Sequence, residues 1–269
     1  MRNSNVNDPH VVALNYRIEY HSSVDYDEAN PLDHSEDGFE IHVEHNKVRF
    51  AMKRHYATKS EALEAVEGYI LAWEHLAALQ YGPNEFKLLF DGAEIEDRDP
   101  TPGVVHASAK LLHEHISLSE AVSVHVSRGS YPQPPSTRME FSRDVKLMFD
   151  RYVGYRSRRG YLADLANFCL TILEKSVQHG NGRRKAAAKH YNIQHKVLRE
   201  IGRLCSEKGG AEARKAQGVD QDLSGQERQF LEEAVKAIIR RAAEVAAEPN
   251  GSRDTILLSD LPDFQQSPQ

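Results

Sequence analysis

Only two cysteines, Cys169 and Cys205, occur in 269 residues. That is too few for a disulfide framework or a four-cysteine metal site. No apolar run approaches the length of about eighteen residues that a membrane helix needs, and the opening MRNSNVNDPH has no apolar stretch of the kind a secretory signal carries. These absences set the expectation of a cytoplasmic protein that does not engage a membrane. Catalytic signatures are missing as well. The chain has no Gly-rich phosphate loop, no Gly-x-Ser-x-Gly elbow and no His-Glu-x-x-His pair. No cofactor and no metal are therefore expected, and a non-enzymatic role leads.

What is present is ordinary in amount and uneven in distribution. Hydrophobic residues make up 40% and charged residues 28%, enough for two domains with cores of their own. The net charge of −6 conceals an asymmetry. Residues 1–140 hold 12 Lys and Arg against 23 Asp and Glu, residues 141–203 hold 14 against 5, and residues 204–269 hold 8 against 12. A basic block between two acidic ones suits a polyanionic partner, or docking against acidic protein.

The first 127 residues read as an acidic α+β domain, a largely antiparallel sheet with one long helix. Residues 11–20 have strand character, and residues 22–37 read as a polar loop. Phe39, Ile41 and Val43 alternate with Glu40, His42 and Glu44, and His45-Asn46 offers a two-residue turn into a second strand, 47–54. Thr58 and Glu61 form a capping box for a helix over 58–81, with Leu63, Val66, Ile70, Trp73 and Ala77 on one stripe and Gly82-Pro83 as its stop. Strand pieces are expected on either side of an Asp91-Gly92 turn, and a last strand over 121–126. Eleven of the fourteen histidines lie in this half. His42 and His45 would point to opposite faces of a strand, and His113 and His115 share a face only if extended, so solvated histidines are favoured over a metal site.

Residues 128–139, with three prolines, read as a linker. Residues 140–262 then read as an all-α helical bundle, with a disordered tail over 263–269. Helices are expected over 140–153, ended by Gly154, over 161–177 with a stripe from Tyr161 to Leu173, and over 227–247 with Phe230, Leu231, Val235, Ile238, Ile239, Ala242 and Val245 inward. Cys169 falls within an apolar stripe and reads as an inert core thiol.

The stretch 183–203, RRKAAAKHYNIQHKVLREIGR, reads as two short helices around a tight turn. Ala187, Ala188, Tyr191, Ile193, Leu198 and Ile201 are spaced for the inner faces, and Asn192 takes a turn position that favours positive φ. The segment resembles a helix-turn-helix motif, with Asn192 where many members have Gly and Arg184 where a polar amide is common. The resemblance implies nucleic-acid binding, to DNA or RNA. Gln194, His195 and Arg199 would read base edges, Arg183, Arg184, Lys185, Lys189 and Lys196 would contact phosphates, and Arg203 would sit on the same outward face.

A second resemblance competes for these residues. Arg184 followed six positions on by His190, within a helical bundle, is similar to the HEPN superfamily. That likeness implies metal-independent RNA cleavage across a homodimer, with His190 handling protons and Arg184 stabilising phosphate charge. Lys185 departs from the small polar residue usual after the arginine in active members. A third possibility is an adaptor with no nucleic-acid role, whose α+β domain binds a protein or small ligand and whose bundle serves dimerisation. The leading reading remains a two-domain protein of bacterial type that binds nucleic acid, with the N-terminal domain for sensing or partner binding.

Overall fold

The computed structural model describes residues 8–19, 24–98, 126–177, 182–208 and 222–264. The chain divides into two compact units, Met1–Ser136 and Thr137–Gln269.

The first unit is built on a five-stranded antiparallel sheet in the spatial order Leu32–Ser35, Phe39–Glu44, Lys47–Met52, Pro9–Glu19, Lys87–Asp97. Its strands are β1 (Pro9–Glu19), β3 (Leu32–Ser35), β4 (Phe39–Glu44), β5 (Lys47–Met52) and β6 (Lys87–Asp97), while β2 (Val24–Asp25) pairs in parallel with β7 (Val126–Ser127). The β4-β5 hairpin turns at His45-Asn46, where φ values of 49° and 60° give the left-handed pair that a two-residue turn requires. Helix α1 (Lys59–Gln80) starts at the Thr58–Glu61 capping box and ends before Gly82, at φ 134°. Between helix and sheet lies a core that includes Val11, Leu14, Ile41, Val43, Phe50, Val66 and Trp73.

Two expectations for this unit are corrected. The acidic stretch 22–37 is not all loop, because Leu32–Ser35 pairs with β4 in register Leu32 with Val43. A four-residue edge strand of mixed polarity carries too short an alternation to register as one. Nor does Asp91-Gly92 turn the chain. Strand β6 runs through it against β1, and Asp91 is the extra residue of a bulge between the Asn15–Gly92 and Tyr16–Phe90 pairs. The strand expected over 121–126 lies outside the described residues except at Val126. The proline-rich stretch is partly claimed by this unit too. Tyr131 is fully buried and stacks on Tyr26 at 5.5 Å, and the Trp73 indole donates to the Pro132 carbonyl at 3.0 Å.

Described residues of the second unit form α2 (Arg143–Arg156), α3 (Leu162–Ser176), α4 (Arg183–His190), α5 (His195–Glu207) and α6 (Gly225–Ala247). Helix α3 is central and touches the other four. Gly154 does not end α2, which runs on to Arg156. Tyr161 precedes α3 and is exposed rather than part of its apolar stripe. Every inward residue expected of α6 is buried, and Ser224 with Glu227 supplies a capping box for its start. Phe264, within the segment expected to be disordered, is buried at 4.2 Å from the Phe230 ring.

Candidate nucleic-acid interface

The sequence 183–203 folds as two helices around a turn because its small and apolar residues share one side. Ala187, Ala188, Tyr191, Ile193, Val197, Leu198 and Ile201 are all buried, as is Leu204 just beyond them. Asn192 holds the turn at φ 51°. This conformation costs most residues about 1–2 kcal/mol and Asn less, because its side chain bonds locally. Here the Asn192 amide donates to the Arg253 carbonyl at 2.5 Å and accepts from the Thr255 hydroxyl at 3.2 Å.

The turn is fastened from two further directions. Arg241 of α6 is buried, and its guanidinium donates to the Tyr191 carbonyl at 2.9 Å, the Asn192 carbonyl at 2.8 Å and the Asp254 carbonyl at 2.8 Å, with Glu244 Oε2 at 2.9 Å. Three of these acceptors are the carbonyls of a turn and of the segment beside it; Arg241 supplies donors to the Tyr191 and Asp254 carbonyls and a second donor to the Asn192 carbonyl, which also accepts from the Ile256 N–H. That segment lies parallel to the turn through the Ile193–Ile256 bridge, with the Gln194 N–H donating to Ile256 O at 2.8 Å and the Ile256 N–H to Asn192 O at 3.0 Å.

The candidate contact residues separate into two groups. Arg183, Lys185 and Lys189 on α4, and His195, Lys196 and Arg199 on α5, are exposed, Arg199 while also donating to Glu200 Oε1 at 3.3 Å. The α5 members lie within about 100° of arc, since residues 195, 196 and 199 are spaced by one and four positions. Helix α5 has no acidic residue in its first turn, which leaves its positive dipole end uncompensated by side chains.

The other three are engaged within the protein. Arg184 turns inward, donating from Nε to Glu174 Oε1 on α3 at 2.7 Å, with its guanidinium against Gly202 of α5. Gln194 Oε1 accepts from the Leu258 N–H at 2.9 Å. Arg203 pairs with Glu200 at 2.8 Å and Glu207 at 3.2 Å. Glu200, nearly buried, has its carboxyl held below the usual carboxylate range, chiefly by the Arg203 hydrogen bond and further by Arg199.

His190 is exposed with its ring edge-on to Tyr191 at 4.7 Å. Six positions on a helix place Arg184 and His190 about 120° apart around the axis, and Arg184 already holds a carboxylate. Cys169 and Cys205 are free and buried, and burial pushes the Cys205 thiol up to about 12 and that of Cys169 higher. Neither is a nucleophile near neutral pH. Among the described residues no helix is long and apolar enough to cross a membrane, and no group of three or more His, Cys, Asp and Glu converges on a point. His42 is bonded to Asp33 at 2.7 Å on an exposed sheet face, whereas His113 and His115 lie outside the described residues.

The Arg241 hub and the pairing of residues 254–258 with the turn escape sequence reasoning, because both depend on contacts some fifty or more positions apart. No family model matches the chain, and searches of curated proteins and of solved structures return no match.

Proposed function

We propose that this is a non-enzymatic nucleic-acid-binding protein acting through the exposed side of α5 and the neighbouring cations of α4. One observation carries this. The apolar side of α5 is fully committed to the interior, while its other side presents His195, Lys196 and Arg199 to solvent at the end where the helix dipole is positive. In this reading His195 and Arg199 approach base edges, and Lys196, Lys189, Lys185 and Arg183 contact phosphates. Gln194, Arg184 and Arg203 support the helix pair instead, through Leu258, Glu174 and Glu200. The second unit is taken as an all-α bundle, the protein as cytoplasmic and bacterial in type, and the first unit as the seat of partner recognition.

The test is binding of labelled duplex DNA and single-stranded RNA by the full chain across a potassium chloride series, with substrate integrity scored in the same samples. Steeply salt-dependent binding with intact substrate is expected. RNA loss without added metal would transfer the assignment to His190-dependent cleavage. No binding of either would return α4 and α5 to a solvated helical corner.

A further inference from the structure

Outside the basic segment, the first unit carries a cleft of about 660 Å³ along one side of α1. Its apolar surface comes from Leu63, Ile70, Leu71 and the ring of Tyr16, and its polar lining includes Glu64, Glu67 and Glu74. The apolar surface continues onto β6. Phe90 packs edge-on against the cleft residue Tyr16 at 5.5 Å and is exposed. Lys59 stands over the Phe90 ring at 5.6 Å, at the start of α1, so the carboxylates dominate the remainder of the cleft.

We propose that this cleft takes a basic amphipathic helix from a partner protein. Length and charge both point there. The lining residues run from Ser60 to Glu74, about 21 Å along α1 at the usual helical rise, which is room for about four turns of a second helix. An apolar stripe flanked by Lys or Arg matches an apolar floor edged by Glu64 and Glu67, both exposed. An added β-strand is disfavoured at this place, because the Leu88 N–H of β6 already donates to Glu74 Oε1 at 2.8 Å. The inference stands on the first unit alone and does not depend on nucleic-acid binding.

The experiment uses the full chain and a fluorescein-labelled, sixteen-residue Leu/Lys peptide patterned as an amphipathic helix, followed by anisotropy. The probe is a designed peptide; its scrambled isomer, of the same charge but with no apolar face, is the control. The patterned peptide is expected to bind, and Glu64→Lys/Glu67→Lys to weaken it tenfold or more. The equally charge-changing Glu28→Lys/Asp37→Lys, at exposed sites outside the cleft lining, should change it less than twofold. Should the lysine pair disturb the fold, judged by Trp73 emission, Glu64→Gln/Glu67→Gln replaces it, with a threefold or greater loss expected. Equal loss in the cleft and control variants, equal binding of the scrambled peptide, or no binding at 100 µM protein would each overturn the proposal. So would concentration-dependent self-association abolished by the cleft substitutions, which would make the occupant a second copy of this chain.

Discussion

Arg184 of α4 and Gly202 of α5 are fitted to one another: the guanidinium occupies the space where any Cβ at position 202 would stand. Its Cζ would lie 2.9 Å and its Nη2 3.0 Å from that atom, with Nη1 closer still. The same side chain reaches Glu174 on α3 at 2.7 Å, so one arginine ties three helices together.

This fit makes an unusual coupling testable. Replacing a glycine inside a helix by alanine ordinarily gains about 1 kcal/mol. Gly202→Ala in the native chain must push the guanidinium aside, at the expense of its fit to Glu174, which is expected to offset part of that gain. In an Arg184→Ala background the full gain should appear. Urea unfolding of the four proteins of this cycle measures the coupling. Equal effects of Gly202→Ala in both backgrounds would show that the guanidinium is not held there.

Arg241 should be the most sensitive position of the second unit. Arg241→Met keeps the apolar stem but removes donors from the Tyr191, Asn192 and Asp254 carbonyls and from Glu244. Asn192 O keeps the Ile256 N–H, but leaving the Tyr191 and Asp254 carbonyls and the Glu244 carboxylate without this donor is expected to cost about 3 kcal/mol or more. The check is the urea midpoint of the circular dichroism signal. Trp73, the single tryptophan, belongs to the first unit and reports that unit separately.

At the turn, Asn192 should be hard to replace in a graded way. Asn192→Ala loses two side-chain hydrogen bonds and strains the backbone at φ 51°, whereas Asn192→Gly loses the bonds without the strain. Alanine is expected to cost about 1 kcal/mol more than glycine. The reverse order in thermal unfolding would contradict the left-handed turn.

Acid sensitivity follows from Glu200. Its carboxyl is held below the unfolded value of 4.5 by Arg203 and Arg199, so it binds fewer protons folded than unfolded around that pH. The stability it contributes is fully present above pH 4.5 and is lost as pH falls through the folded value. Glu200→Gln should therefore flatten the stability profile below pH 4.5 and leave its slope between pH 6 and 8 unchanged. A parallel shift of the whole profile would assign Glu200 a packing role alone.

Local rules made much of this legible. The His45-Asn46 turn, the Thr58–Glu61 box, the inward face of α6 and the left-handed Asn192 each depend on residues a few positions apart. Where partners are distant, the sequence misleads. Asp91-Gly92 has the composition of a turn, yet β1 supplies a continuous partner and turns it into a bulge. Arg184 has the composition of a phosphate contact, yet Glu174 and the absent side chain of Gly202 draw it inward. Charge counts alone could not separate it from Lys196, which stays in solvent.

Nucleic-acid binding by the exposed side of α5 is tested most directly by the salt dependence of duplex DNA and single-stranded RNA binding to the native chain, Lys196→Ala and Arg184→Ala. Binding is expected, with a log–log salt slope that becomes shallower by about one unit in Lys196→Ala, as loss of one phosphate contact requires. Arg184→Ala should retain the native slope while lowering stability. A slope unchanged by Lys196→Ala but reduced by Arg184→Ala, or no binding by the native chain, would contradict the placement of nucleic acid on the exposed side of α5.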